Sequence, residues 1–575
     1  MHYRNFRTVV YIPALIAFEM TPEKLAEDYA FIEKYIGLDK VYLETHRDDI
    51  DVPEEQLRMI KSFLESKGVT VSGGITTVLP DIEGAVTGKR RLFNTVCYTD
   101  PVMRDKVRQM AEYAAGIFDE IILDDFYFTN CTCESCIRQK GGRDWVSFRK
   151  DLMRDVSENL IVGPAKAVNP NVKMIVKYPN WRESFHFTGY LPDEQKDIFD
   201  ATYIGTETRS PRYADQHLPE YLSYSLVRYM ENAWPGRNGG GWFDTYQCWS
   251  ADRYLEQAYL TVFAKAKELM FFQWSDLVGN YFAGGAGIQL KKLDAIMEGT
   301  GDPTGIAAYI PHASSGENHL EMRLGMTGIP IEPMPEFPSD RKMILLTESS
   351  ASDVDVVSRL KEFVEAGGDA VITSGCMMKL QNELKDAGLT EATVTGRKIS
   401  VTRYQITDDR AGYLDDIGKI TFPETVHGNN DSWSLLNGGD GDYHTPLILQ
   451  SNFGKGRIFI LSIPDNPSDI YRIPAPAVDV LKRVINPDGY ASGRNFSVFT
   501  YDDGSMILYR YVKGDIRPEQ VKLYTAKQAK CLRDLTTGEE IPVSTAYINR
   551  HWEKDVYTTA DITLEPGVFR RFKWE

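Results

Sequence analysis

Along the first 300 positions of this chain, apolar and polar residues alternate in two periods. Short β-branched and aliphatic runs at Val9–Ile16, Lys40–Glu44, Val69–Thr77, Glu120–Asp124, Val172–Tyr178, Ala201–Gly205, Leu226–Glu231 and Glu268–Gln273 predict strands. Most are separated by segments whose apolar residues recur every three to four positions, at Pro22–Tyr35, Glu54–Lys67, Asp100–Phe118, Trp145–Val162 and Tyr254–Lys267, which predicts helices. Thr21 before Pro22 and Asp100 before Pro101 are helix-start signatures: the side-chain oxygen caps free N–H groups, and proline fits the first helical position. Eight strand units in this span predict a (β/α)8 TIM barrel over residues 1–300. In such a barrel, catalytic residues project from the C-terminal ends of the strands.

The pattern then changes. Gly279–Gly287 is glycine-rich, and Gly299–Gly305 reads as a linker. A second alternation follows, with strands at Met343–Leu346, Asp369–Thr373 and Gly456–Ser462 and a helix at Val354–Glu365. It predicts an open, flavodoxin-like α/β domain over 301–490. Strands at Phe496–Tyr501, Ser505–Tyr511, Gln520–Tyr524 and Val568–Phe572 predict a small C-terminal antiparallel β-sandwich over 491–575.

Charge narrows the partners. The net charge of −17 argues against nucleic acid and against an anionic membrane surface. No apolar run reaches the ~18–20 residues that span a bilayer. The start, Met1 to Arg7, shows no signal peptide, so a cytoplasmic or a periplasmic location fits equally. Seven cysteines, four of them clustered, do not form a disulfide framework.

Those four carry chemistry. Cys131, Cys133 and Cys136 can wrap one metal ion from a single loop, with Cys97 as the fourth ligand. Four thiolates leave no open position, so a zinc there is structural; reduced, unliganded thiols are the alternative. The metal loop directly follows a buried strand that ends in Asp124 and Asp125. With Glu44, Glu207, Glu231 and Asp276 these are the strand-end carboxyls of the predicted barrel. Glycoside hydrolysis needs two such groups, one to protonate the leaving oxygen and one to attack the anomeric carbon or activate water. Strand alternation points one of Asp124 and Asp125 into the barrel and the other toward its wall. Lys177 and Arg209 are placed to hold acids or contact hydroxyls, and Trp181, Trp234 and Trp274 to floor a sugar or pack the rim. His46 and His186 read as structural. Cys376 with His312 lacks an oriented third partner and reads as a buried thiol.

The chain resembles the family-42 glycoside hydrolases, the trimeric retaining β-galactosidases. Arg90-Arg91-Leu92-Phe93-Asn94-Thr95-Val96-Cys97, followed by Asp100-Pro101, is similar to that family's arginine-rich segment with its first zinc cysteine. Cys131–Cys136 and Trp145-x-x-Phe148 resemble its zinc loop and helix. Tyr229-Met230-Glu231, leading to Pro235-Gly236, resembles its nucleophile strand, and Gln257–Tyr259 through Phe271–Trp274 its last helix and strand. The resemblance implies a retaining glycosidase acting on carbohydrate, a structural zinc, a homotrimer, and a glutamine-amidotransferase-like trimerisation domain as the second block. One departure limits it: the family carries Asn-Glu where this chain has Asp124-Asp125, so the chain is expected to be a divergent relative. Two mechanisms follow. In one, Glu231 is the nucleophile and Asp125 the acid/base. In the other, an Asp at strand 4 is the nucleophile and Glu207 the acid/base, an arrangement similar to retaining α-glycosidases and hexosaminidases. A non-catalytic carbohydrate-binding protein and a thiol enzyme using Cys376 are the other classes considered.

Overall fold

The computed structural model describes residues 2–80, 82–85, 91–280, 282–407, 413–414, 418–428, 432–513, 516–550 and 553–575. Met1, Arg90 of the arginine-rich segment and Tyr281 of the glycine-rich stretch lie outside them. The chain divides into two compact units, Met1–Glu298 and Gly299–Glu575.

The first unit is a closed parallel barrel. Its strands are β1 (Arg7–Ile12), β2 (Lys40–Arg47), β3 (Thr70–Ile75), β4 (Glu120–Leu123), β5 (Lys173–Tyr178), β6 (Ala201–Gly205), β7 (Asn238–Asp244) and β8 (Glu268–Phe272). Each pairs in parallel with the next, and β1 pairs with both β2 and β8, which closes the ring. The predicted helix over 22–35 forms as Pro22–Tyr35, with the Thr21 hydroxyl accepting from the Lys24 N–H. Asp100 caps Pro101–Ala115 in the same way.

The barrel interior follows from the pleat. Val9, Tyr11, Tyr42, Ile122, Ile175, Tyr203, Trp242 and Met270 form its buried core. Side chains two residues further along a strand share the same face. From Tyr42, Ile122, Ile175 and Trp242, one more step reaches Glu44, Asp124, Lys177 and Asp244. The core layer therefore dictates which polar residues stand above it at the C-terminal mouth.

One predicted strand is a helix. Leu226–Glu231 lies within the helix Leu222–Ala233, of which all but two residues are buried. A helix covered on nearly every side loses the amphipathic pattern by which it is recognised and reads as a strand. The true seventh strand, Asn238-Gly239-Gly240-Gly241-Trp242-Phe243-Asp244, carries three glycines that lower its strand propensity. They answer close approach: a Cβ on Gly240 would sit 2.1 Å from the Glu268 carbonyl oxygen.

In the second unit, five parallel strands run in the order Ile331–Met334, Ile306–Tyr309, Met343–Leu346, Asp369–Thr373 and Gly456–Leu461. The sheet continues antiparallel through Tyr443–Phe453, Ser432–Asp440, Arg403–Ile406 and Tyr413–Leu414, an extension not predicted from the sequence. Toward the C-terminus, a six-stranded and a four-stranded sheet close over a shared core that includes Phe496, Leu508, Leu523, Ile562 and Phe572.

Candidate active site

The mouth of the barrel holds two polar clusters. In the first, Glu44 is fully buried and accepts from the Tyr11 hydroxyl at 2.7 Å, the Ala14 N–H at 2.6 Å and the Arg47 guanidinium at 2.9 Å. Arg47 also reaches Asp124 at 2.5 Å, and the Thr76 hydroxyl bridges Glu44 and Asp124. Burial by itself would raise the Asp124 pKa. The Arg47 charge, a hydrogen bond from the Asp125 side chain, Lys177 and Thr76 outweigh it and hold the group down at about 2. Asp124 is thus a permanent anion whose oxygens are already engaged.

The second cluster is centred on Lys177. Its ammonium donates to Asp125 Oδ2 at 2.6 Å and to Glu207 Oε1 at 3.1 Å, and it lies 4.3 Å from the centre of the Trp242 ring. One ammonium touching two carboxyls places their oxygens within two hydrogen-bond lengths, about 6 Å, of each other. Burial pushes Asp125 up to about 8; the Asp124 and Glu207 charges add to this, and Lys177 opposes it. Both aspartates therefore face the mouth, where alternation alone placed one toward the wall. The reason is that β4 ends at Leu123, and Asp125 sits in the turn beyond it. Its side chain keeps 23% of its surface exposed, against 5% for Glu207. Glu207 Oε2 is buried with no partner. Gly205 makes room for it, since a Cβ there would lie 2.4 Å from that oxygen.

Asp244, at the end of β7, was not singled out from the sequence. Arg209 grips it at 3.1 and 2.6 Å, and burial, opposed by Arg209, lifts it to about 6. The signal was present: Trp242-Phe243-Asp244 is an apolar run ending in an acid, hidden behind the glycines. Arg47 was also missed, because its two partners come from different strands.

The other predicted residues divide. Asp276 stands at the rim and accepts from the Thr245 hydroxyl at 2.9 Å, with burial raising its pKa. Trp181 packs at ring distances of 5.4 and 5.7 Å on Phe128 and Tyr190, and the Tyr190 hydroxyl donates to the Asp125 carbonyl at 2.7 Å. It buttresses the turn that carries Asp125. Trp234 and Trp274 are fully buried, Trp274 beside a cavity that it lines with Met20, Lys24 and Asp28; their indole N–H groups are satisfied by the Pro192 carbonyl at 2.8 Å and by Asp28 at 3.0 Å. Glu231 is not brought to the mouth. It sits near the C-terminus of the helix Leu222–Ala233, where its Oε1 accepts from the Gly236 N–H at 2.7 Å. Glu231→Gln is accordingly expected to keep kcat within about twofold of wild type, since it changes a helix-end contact remote from the mouth. A loss comparable to that of the Lys177-linked carboxyls would return Glu231 to the site.

In the second unit, burial pushes the Cys376 thiol well up, with Glu317 and Glu348 adding to it, the reverse of what a nucleophilic thiolate requires.

Cys97, Cys131, Cys133 and Cys136 bring their sulfurs within 4.8 Å of one another. Cys97 Sγ is 3.7 Å from both Cys133 Sγ and Cys136 Sγ. Four ligands at ~2.3 Å around a tetrahedral ion stand ~3.8 Å apart, close to the two 3.7 Å separations, so the cluster can hold a metal. It ties the loop after β3 to the loop after β4.

Residues 1–289, half of the chain, match the family model described as a probable glycosyl hydrolase catalytic domain, and the chain belongs to that family. Residues 301–466 match the second-domain model of the uncharacterized protein SSO3021. The protein of that name from Saccharolobus solfataricus is 26% identical over 503 residues, covering 80% of this chain and 82% of its own. Among solved structures, the β-galactosidase of Bacillus circulans sp. alkalophilus superposes with a TM-score of 0.65 at 14% identity over 100% of both chains. A catalytic mutant of a GH42 β-galactosidase from G. stearothermophilus gives 0.63 at 13% identity, covering 100% of this chain and 99% of that one. The α-L-fucosidase isoenzyme 2 of Paenibacillus thiaminolyticus gives 0.64 at 13% identity over 100% of both chains. At such identities the likeness concerns the fold, a barrel followed by C-terminal β-rich domains. The chain shares its fold with family-42 β-galactosidases and carries a glycosyl-hydrolase catalytic domain. Among the described residues, no helix is long and apolar enough to cross a membrane.

Proposed function

We propose that this protein hydrolyses glycosidic bonds with Asp125 and Glu207 as the reacting carboxyl pair, in a retaining mechanism. The observation that carries this reading is Lys177, whose single ammonium contacts both groups. An oxygen separation bounded at about 6 Å lies nearer the ~5–5.5 Å carboxyl spacing of double displacement than the ~6.5–9.5 Å of inversion, which leaves room for a water. Asp125, raised and partly exposed, is the proton donor to the leaving oxygen. Glu207, contacted by the Lys177 ammonium, attacks the anomeric carbon. Asp125, now ionised, then takes a proton from the water that releases the sugar. Asp124 and Glu44 stay locked on Arg47 and keep the negative field that favours a protonated Asp125. Arg209 and Asp244 offer donors and acceptors to sugar hydroxyls. Cys97, Cys131, Cys133 and Cys136 would hold a Zn²⁺ in a purely structural role, since four sulfur ligands would leave no position open for substrate or water.

The pH profile tests the assignment. Asp125 must be protonated for the first step, so kcat/KM falls tenfold per unit above about pH 8. Asp124→Asn removes a neighbouring negative charge that helps keep the proton on Asp125, so its alkaline limb moves to lower pH. The assay uses 4-nitrophenyl glycosides of β-D-galactose, α-L-fucose and β-D-mannose, with product stereochemistry read by NMR. An inverted product, or an alkaline limb that Asp124→Asn leaves in place, would count against the pair.

A further inference from the structure

A row of aromatic rings leads away from the reacting pair. Lys177 lies over Trp242; Trp242 stacks on Phe272 at 5.1 Å with 24° between the ring planes; Phe272 meets Tyr246 at 6.1 Å. Tyr246 is 44% exposed, and three residues on, in the same loop after β7, Trp249 is 74% exposed. Such exposure is unusual for the largest apolar side chain, and a soluble protein maintains it where the ring meets something.

The loop is built to keep it there. Gln247 and Trp249 both have left-handed backbones, with φ of 51° and 61°, a conformation that non-glycine residues rarely adopt and that persists only where the surroundings impose it. The constraint is visible. The Ser210 N–H donates to the Gln247 carbonyl at 3.2 Å, and the Gln247 side chain exchanges two hydrogen bonds with Asp215, at 3.1 and 2.9 Å. Cys248, between them, is buried and bonds back to the Asp244 carbonyl at 3.4 Å. A loop free to collapse would fold Trp249 inward. This one is pinned at Gln247 and Cys248, directly before the indole, and leaves the ring outside.

We infer that Tyr246 and Trp249 form an outer sugar-binding platform, so that the substrate is an oligosaccharide running from the Asp125–Glu207 pair over the β7 loop. The inference rests on the glycosidase reading. The C–H faces of successive sugar rings pack on the exposed aromatic faces, and binding energy gained there serves the reaction centre, so that short substrates lose kcat as well as affinity.

Two measurements separate this inference from the reading beneath it. The first is turnover of the 4-nitrophenyl monoglycosides against β-1,4-galacto-oligosaccharides, β-1,4-manno-oligosaccharides and fucosylated xyloglucan fragments. Wild type should favour one oligosaccharide series over its monoglycoside by at least about tenfold in kcat/KM, and Trp249→Ala should erase most of that gain while keeping monoglycoside turnover within about twofold. No gain with chain length, or equal losses on long and short substrates, would overturn the platform while leaving the catalytic pair standing. The second is affinity electrophoresis in galactan, mannan and xyloglucan gels, which needs no turnover. Retardation of wild type that Trp249→Ala removes supports the platform even if no glycoside is cleaved, and equal mobility of the two proteins in every gel overturns it. Sedimentation of both proteins completes the test: an oligomer that dissociates in Trp249→Ala would make the indole a subunit contact and overturn the inference.

Discussion

Asp125→Asn is expected to cut kcat on a glycoside with a poor leaving group by about 10²–10⁴ while leaving the barrel folded. The amide matches the carboxyl in shape and retains an oxygen for Lys177, but it has no proton to give. The size of the loss should depend on the leaving group. A dinitrophenolate departs without a proton, so the first step recovers on such a substrate and azide, replacing water, speeds the second. Glu207→Gln should be equally severe but should not recover with a better leaving group, because the attacking oxygen itself is missing. Stability should move the other way in Asp125→Asn. The folded pKa of Asp125 is about 8, above the ~3.9 of an unfolded chain, so its contribution is fully present below pH ~4 and is lost as the pH rises through 8. An amide never ionises, so near pH 8 the variant should melt at the wild-type temperature or higher. An activity loss that tracks a fall in Tm would contradict the assignment.

The second large effect is expected at the cysteines. Cys97→Ser should reduce bound zinc from about one per chain to near none and lower the melting temperature of the barrel by about 10 °C, because loss of a structural metal belongs to the few single changes that exceed 4–5 kcal/mol. Cys97 is the only one of the four ligands that comes from the loop after β3. Its loss uncouples that loop from the segment following Asp125. Metal analysis paired with melting curves, with and without a chelator, reads the effect. Chelator-insensitive melting of the wild type would mean that the four sulfurs hold no ion.

Much of the barrel was legible because its strands are apolar runs cut off by polar residues. Ala201–Gly205 forms with the predicted bounds, and the other segments that form differ mainly at their ends. The failure was local and had a physical cause. Leu226–Glu231 looked like a strand ending in a nucleophile, yet it lies in a helix wrapped by its neighbours on nearly all sides. The true strand was disguised by glycines that close neighbours demand, the Glu268 backbone at Gly240, Tyr203 at Gly239 and Thr261 at Gly241. One error thus both misplaced Glu231 and hid Asp244. Asp125, Glu207 and Lys177 were legible as strand-end groups, but their common ammonium was not, since no linear pattern relates residues 125, 177 and 207. The indoles of Trp234 and Trp274 illustrate the opposite limit: an aromatic after a strand signals proximity to the mouth, and only packing decides whether it faces sugar or core.

The ammonium between the two carboxyls also bears on inhibitor design. Iminosugars gain affinity for glycosidases by presenting a positive nitrogen to a pair of acids. In this mouth both acids already contact the fixed charge of Lys177, which lies over the face of Trp242. A cationic mimic would meet repulsion from the enzyme's own cation, whereas a neutral, flattened lactone or lactam would not. The ratio of affinities for those two inhibitor classes is therefore a fingerprint by which this site can be told from relatives whose acids face each other across open solvent.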